Sequence, residues 1–393
     1  MNKHKIDSTD CVHAGVGVCD VSNAITIPIV HSAPFTFGST AELVAYLEGS
    51  SERRQPEYGR MGNPTVSLVE SRLAALEGAE KAQLFASGMA AVTTLFLHYL
   101  TSGDHLILIN DCYKRTRDFA LNFLSKFGIR TSVVPPLLKE VKKAVEPDTR
   151  MIFTETPTNP YLYVMDVDAI SRIGRECGAL SVVDSTFATP VNLRPLELGA
   201  DLVMHSATKY MGGHNDLIAG VIAGRKELVQ PVSDLLMTLG GICDPQSVYL
   251  LDRGLKTLKL RVTHQNASAL AIAEFLKSHP KVRRVFYPGL KCHPSHEIAS
   301  RQMAGYGGVV TFFLDGEFEE TARFVDNLQI PKIGPSLGGV ESLVEQPVIM
   351  SYWDQPVQER LKWNIHDNMV RLSIGIEETE DIITDLEQAL EKI

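Results

Sequence analysis

From Glu80 onward the chain alternates short apolar runs with amphipathic stretches: KAQLF, GMAAVTTLFLHYL, HLILIN, TRDFALNFLSKFG, TSVV, MIFTET, VDAISRIGREC, ALSVVD and DLVMHSA follow one another. Short apolar runs bounded by turn residues read as strands, and strands that alternate with helical patterns need parallel crossovers. The expected fold class is α/β: a mostly parallel sheet covered by helices on both faces. After Ser247 the pattern changes to a long helical stretch through Leu276. VRRVFY, GGVVTFFL, a helix near Glu319–Leu328, MVRLSIGI and an amphipathic helix from Glu378 follow. Fewer strands and longer helices mark a smaller α+β unit.

At 393 residues the chain exceeds the ~250–300 at which a single core stops growing. The expected division is an arm over 1–62, an α/β domain over 63–250 and an α+β domain over 251–393. The arm shows no sustained period and ends in GSSERRQPEYGRMGNP, so it is expected to lie on a partner subunit rather than build its own core.

Composition narrows the function classes. Apolar residues at 44% and charged residues at 22% describe a folded chain, not a disordered one. With 38 Lys+Arg against 47 Asp+Glu the net charge is −9, the wrong sign for general phosphate neutralisation on nucleic acid. The six cysteines (Cys11, Cys19, Cys112, Cys177, Cys243, Cys292) form no C-x-x-C pair, which fits reduced thiols and a cytoplasmic location. The opening MNKHKIDSTD lacks the apolar core of a secretion signal, and no stretch approaches the ~20 apolar residues of a spanning helix.

The most informative segment is DLVMHSATKYMGGHND, where an apolar strand runs into Ser206, Thr208 and then Lys209. Alone, Lys209 reads as a surface lysine with its stem along apolar surface. Upstream, ALSVVDSTFATP puts Asp184 at the C-terminal end of another buried strand, the edge where α/β sheets bind ligands. Asp184 alone reads equally well as a helix cap or turn residue. Together, an acid and a lysine delivered to one edge suit pyridoxal phosphate: the acid keeps the pyridine nitrogen protonated and the lysine forms the covalent link. MIFTETPTNP offers Asn159 for the ring oxygen or a substrate carboxylate, although by itself it reads as the turn before Pro160. KAQLFASGMAAVTTLF offers a phosphate cradle at Ser87, Gly88 and Met89, where a strand turns into the free N–H groups of a helix start. Arg371 inside the apolar strand MVRLSIGI needs a partner, so a functional role is expected of it.

SATKY, the Asp184 strand, TPTNP, SGM, EYGRMGNP, SLGGVES and VRLSIGIE, in that ordered set, resemble the Cys/Met-metabolism family of pyridoxal-phosphate enzymes of fold type I. The resemblance runs from about His13 to the C-terminus. DCYKRTRDF, QPVIMSYWD and RQMAGYGGVV are most similar to the plant-type cystathionine γ-synthases within it. The resemblance implies that Tyr113 stacks on the cofactor ring and that Thr186 joins the cofactor-binding set with Ser206 and Thr208. It also implies that Tyr58 and Arg60 reach the cofactor phosphate of a neighbouring subunit. An active homo-oligomer follows, a homotetramer built from active dimers. Arg371, helped by Ser336, takes the substrate α-carboxylate; Glu57 and Glu341 lie near the distal end of the substrate. Lys114, Arg115 and Arg117 follow Tyr113, and Arg117 is the cation expected to meet an anionic leaving group. The implied activity is γ-replacement on an activated homoserine with cysteine, giving cystathionine. The alternatives are γ-elimination to 2-oxobutanoate and ammonia, or a specialised amino-acid enzyme on the same scaffold.

Met61 and the segment His31-Ser32-Ala33-Pro34 depart from the family pattern, and Cys112 precedes Tyr113 where methionine γ-lyases carry a cysteine after it. Three other classes fit poorly. GVGVCD lacks the third glycine of a dinucleotide fingerprint. CHPSH at residues 292–296 supplies no second cluster for zinc, and no metal is expected. A non-catalytic relative is expected to lose Lys209, Asp184 or Arg371, and all three are present.

Overall fold

The computed structural model describes residues 5–15, 24–51 and 56–393; Cys19 and all of GVGVCD except Gly15 lie outside the described residues. Seven strands form the larger sheet: β1 (Lys81–Phe85), β2 (His105–Ile109), β3 (Arg130–Val134), β4 (Thr149–Glu155), β5 (Leu180–Asp184), β6 (Leu202–His205) and β7 (Gly220–Gly224). Their spatial order is β1-β7-β6-β5-β4-β2-β3. Strands β2 to β6 pair in parallel, while β7 runs antiparallel to both β6 and β1. Six strands therefore point the same way, and β1, β4, β5 and β6 release their chains at one edge. β7 has no counterpart among the apolar runs that the sequence singles out.

Burial explains the apolar runs. Every residue of β2 is buried, and β4, β5 and β6 are buried through their last three residues. The expected helix over TRDFALNFLSKFG is instead a short α-helix (Lys114–Asp118), a π-helical turn (Phe119–Phe123) and a 3-10 turn (Leu124–Phe127). Phe119 and Phe123 stack at 4.9 Å across the π-turn.

The smaller sheet has five strands: β8 (Val282–Phe286), β9 (Val309–Leu314), β10 (Lys332–Ile333), β11 (Leu343–Glu345) and β12 (Met369–Ser373), in the order β10-β11-β12-β9-β8. Only β10 and β11 pair in parallel within it. The long helical stretch between the sheets is two helices, Pro245–Lys256 and Leu258–Ser278, broken at Thr257. Gly254 lies against the turn that follows Lys209: a Cβ there would sit 2.2 Å from the Gly212 carbonyl oxygen. Arg261, from the second helix, donates to the Tyr210 carbonyl at 2.7 Å, fastening that turn to the helix pair.

The arm departs from expectation in its first part. Helix α1 (Ser8–His13) packs on its own chain, where Ile6, Cys11 and Ile27 join the core beside Val69 and Leu73. Arg72 donates to the carbonyls of Cys11 at 2.7 Å and Val12 at 2.6 Å. Helix α2 (Thr40–Leu47) buries no residue in this chain, and Leu47 is 70% exposed. Among the described residues no helix is long and apolar enough to cross a membrane.

Candidate active site

At the strand-end edge, a cavity of about 670 Å³ opens between the two sheets. Ser87, Gly88, Met89, Tyr113, Asn159, Asp184, Thr186, Ser206, Thr208, Lys209, Ser336 and Arg371 all line it. Residues from β1, β4, β5, β6 and β12 and their following loops, far apart in sequence, thus meet in one place.

Each wall has a local cause. Ser87 caps helix α3 (Gly88–Tyr99) by accepting the Ala90 N–H, so the first N–H groups of that helix stay free to face the cavity. Gly88 is required by close approach: a Cβ there would stand 3.0 Å from the Ser206 Cβ. A glycine at a helix start, with Ser206 opposite, is the geometry a phosphate cradle needs. Asp184 Oδ1 accepts both the N–H of Thr186 at 3.0 Å and its hydroxyl at 2.5 Å. Thr186 Oγ1 in turn accepts the Ser206 N–H at 2.8 Å, so β5 fixes the start of the Lys209 turn. Burial raises the Asp184 carboxyl above the ordinary range, opposed by those Thr186 donors. A cationic ring nitrogen beside it would hold it ionised.

Lys209 Nζ donates to Ser336 Oγ at 2.7 Å. Burial, reinforced by the nearby Arg371 charge, pushes its amine down to about 8. Arg371 donates to Asn159 Oδ1 at 3.0 Å and to the Ser336 carbonyl at 3.0 Å, and pairs with Glu345 at 3.1 Å. The residues fit pyridoxal phosphate: a free-ended helix for the phosphate, a buried carboxyl for the ring nitrogen and a half-buried lysine with its amine pushed down for the aldehyde. That fit rests on the glycine cradle and on this donor set.

Not every expected residue arrives. Glu57, Tyr58 and Arg60 do not line this chain's cavity. Tyr58 bridges to Pro34 and is 45% exposed, while Arg60 lies over the Tyr58 ring at 5.7 Å and donates to the Met237 carbonyl. Glu341 also stands outside, accepting from the Asn215 amide at 2.7 Å. Met61 and His31 are outside it as well. Arg117 is the clearest departure. It is 2% exposed, donates to the Asn110 carbonyl and the Tyr352 hydroxyl, and stacks on Trp363 at 3.9 Å. A buried guanidinium must spend its donors on fixed acceptors, and those acceptors turn it away from the cavity. Lys114 and Arg115 line the cavity instead. In the CHPSH loop, His293 and His296 face the carbonyls of Tyr161 and Pro288.

Sequence reasoning missed Glu345 and Glu155. Glu345 is the strand partner of Arg371 in register, so a lone arginine in an apolar strand could have pointed to an acid on its neighbour. Glu155 ends β4 in register with Asp184 at the end of β5. Its signal was a carboxyl closing an otherwise apolar strand, in MIFTETPTNP.

The chain is 50% identical to cystathionine gamma-synthase 1, chloroplastic, of Arabidopsis thaliana, over 100% of this chain and 70% of that relative. It is 42% identical to a cystathionine gamma-lyase of Dictyostelium discoideum, over 100% of this chain and 99% of that one. The crystal structure of metB from Corynebacterium glutamicum superposes with a TM-score of 0.92 at 39% identity, covering 98% of this chain and 97% of that one. The family model for Cys/Met metabolism PLP-dependent enzymes matches residues 8–391, and the chain belongs to that family.

Proposed function

We propose that the protein catalyses pyridoxal-phosphate-dependent γ-replacement, joining cysteine to an activated homoserine to give cystathionine. The observation that carries this reading is the 50% identity to a cystathionine gamma-synthase over the whole chain. The cavity residues support it.

When bound, pyridoxal phosphate supplies an electron sink for the charge released at Cα and Cβ. Arg371 orients the substrate by its α-carboxylate, its guanidinium already aimed by Asn159, Ser336 and Glu345. Lys209, with its amine near neutrality, takes the Cα proton and then a Cβ proton, which lets the γ-substituent leave. Asp184 would hold negative charge beside the ring nitrogen, and Tyr113, on the cavity wall, would cover the ring. Ser87, Gly88, Met89, Ser206 and Thr208 would hold the phosphate, with Tyr58 and Arg60 of a neighbouring subunit completing that site. Two facts support the shared site: neither arm residue lines its own cavity, and α2 buries no residue in this chain. The reading includes a cytoplasmic homotetramer of active dimers.

Incubation with activated homoserines, with and without cysteine, and product identification by mass tests it. Cystathionine is expected as the main product. γ-Elimination is the second reading, favoured by the similarity to a gamma-lyase along nearly its full length. Faster release of 2-oxobutanoate than cystathionine at saturating cysteine overturns the first reading in favour of the second.

A further inference from the structure

Glu155 is 3% exposed, lines the cavity and has no part in the steps above. It ends β4 directly beside Asp184, its register partner at the end of the parallel strand β5. Residues paired in register on neighbouring strands point to the same face, so two carboxyls stand side by side in a buried place. Glu155 Oε2 accepts the Tyr113 backbone N–H at 2.9 Å, while Oε1 is buried with no hydrogen-bond partner among the described residues. The same loop is pinned a second time, where the Thr158 hydroxyl donates to Asp111.

Two adjacent buried carboxyls do not both ionise. Asp184 receives two donors from Thr186, whereas Glu155 receives one. Asp184 is therefore the better-supported anion. The groups facing Glu155 are Asp184 from β5, Asp111, Cys112 and Tyr113 from the loop after β2, and Arg371 from β12, whose charge is already paired with Glu345. Among the described residues, the cation that acts on Glu155 is Arg371, and it is already committed to Glu345.

We propose that Glu155 is a positioning residue carried as the neutral acid: it anchors Tyr113 through that residue's N–H and leaves the negative charge of the pair on Asp184. The inference rests on the reading of Tyr113 and Asp184 as cofactor residues. In support, burial and then the Asp184 charge raise the Glu155 carboxyl well above the ordinary range.

The test compares Glu155→Gln, which keeps an uncharged acceptor, with Glu155→Ala. In cofactor-free protein at pH 7, the infrared difference between wild type and Glu155→Gln should contain the carbonyl band of a protonated carboxyl. Cofactor retention in Glu155→Gln should stay within about twofold of wild type. Glu155→Ala should bind about tenfold more weakly, as expected when one buried N–H loses its acceptor, with reduced circular dichroism from the bound cofactor. A missing carboxylic band, or a Glu155→Gln that loses cofactor as badly as Glu155→Ala, overturns the proposal. If Glu155→Ala does not fold, the infrared band and the Gln variant still decide it. Failure of the underlying reading shows separately, as cofactor attached to a lysine other than Lys209.

Discussion

Lys209 donates from Nζ to Ser336 Oγ at 2.7 Å, linking the end of β6 to a turn where Ser336 itself is held at φ +97°. The contact joins the two sheets at the point where the reaction is proposed to occur. It also parks the amine against a hydroxyl rather than a carboxylate, and burial together with the Arg371 charge, only partly offset by Glu345, pushes it down to about 8.

A first prediction follows from that amine. Only the neutral form attacks an aldehyde, so cofactor loading of the cofactor-free protein should speed up roughly tenfold per pH unit below about 8 and level off above it. The stability sign is set by a lowered lysine. Below about 8 the buried charge destabilises the fold in full, and the penalty fades as pH rises toward the unfolded value near ~10.4. Lys209→Met should therefore be more stable than wild type below pH 8, with the gap closing above it. Absorbance stopped-flow and denaturant melts check both. Borohydride reduction and peptide mapping should find the cofactor on Lys209.

Arg371 gives the second prediction. Arg371→Lys keeps the charge but loses the fork, and kcat/KM should fall about 30- to 100-fold, the value of a bidentate charged pair. Glu345→Ala leaves the arginine without its buried counter-charge and should cost ~3 kcal/mol of stability, with Glu345→Gln milder. Steady-state kinetics and equilibrium unfolding separate the two effects.

The third concerns the arm. Arg60→Ala should weaken cofactor retention with the fold intact, because among the described residues Arg60 donates to the Met237 carbonyl and lies over the Tyr58 ring, neither of which is part of the core. Mixing an Arg60→Ala chain with a Lys209→Ala chain should restore part of the activity in hybrid sites. An active monomer in sedimentation would refute the shared site.

Leaving-group preference is the fourth. Lys114 and Arg115 line the cavity, so neutralising them should reduce any preference for O-phosphohomoserine over O-acetylhomoserine, and added salt should act in the same direction. Arg117→Ala should instead lower stability, since it removes a buried stack on Trp363 and two donated hydrogen bonds. Competition assays with the two esters, with melting curves for each variant, distinguish the roles.

The sequence by itself determined the parallel α/β core and the principal residues of the cavity wall. Buried parallel strands must be apolar throughout, so they stand out in the chain, and the residues that follow them land at one edge by topology alone. That is why Ser87, Asn159, Asp184 and Lys209 could be picked out before any coordinates. Only the tertiary structure decided the fate of side chains whose partners come from elsewhere in the chain. Arg117 and Arg115 look alike in DCYKRTRDF, yet Trp363 and Tyr352, more than two hundred residues on, bury one and leave the other at the cavity. Glu345 and Glu341 differ by which one β12 pairs with Arg371. The arm misleads for the same reason: its first helix has too few apolar residues to show a period, and it is held by Arg72 from a distant helix. Periodicity records which face of an element is buried. It does not record which other element buries it, and that choice fixes the charge and direction of each functional group.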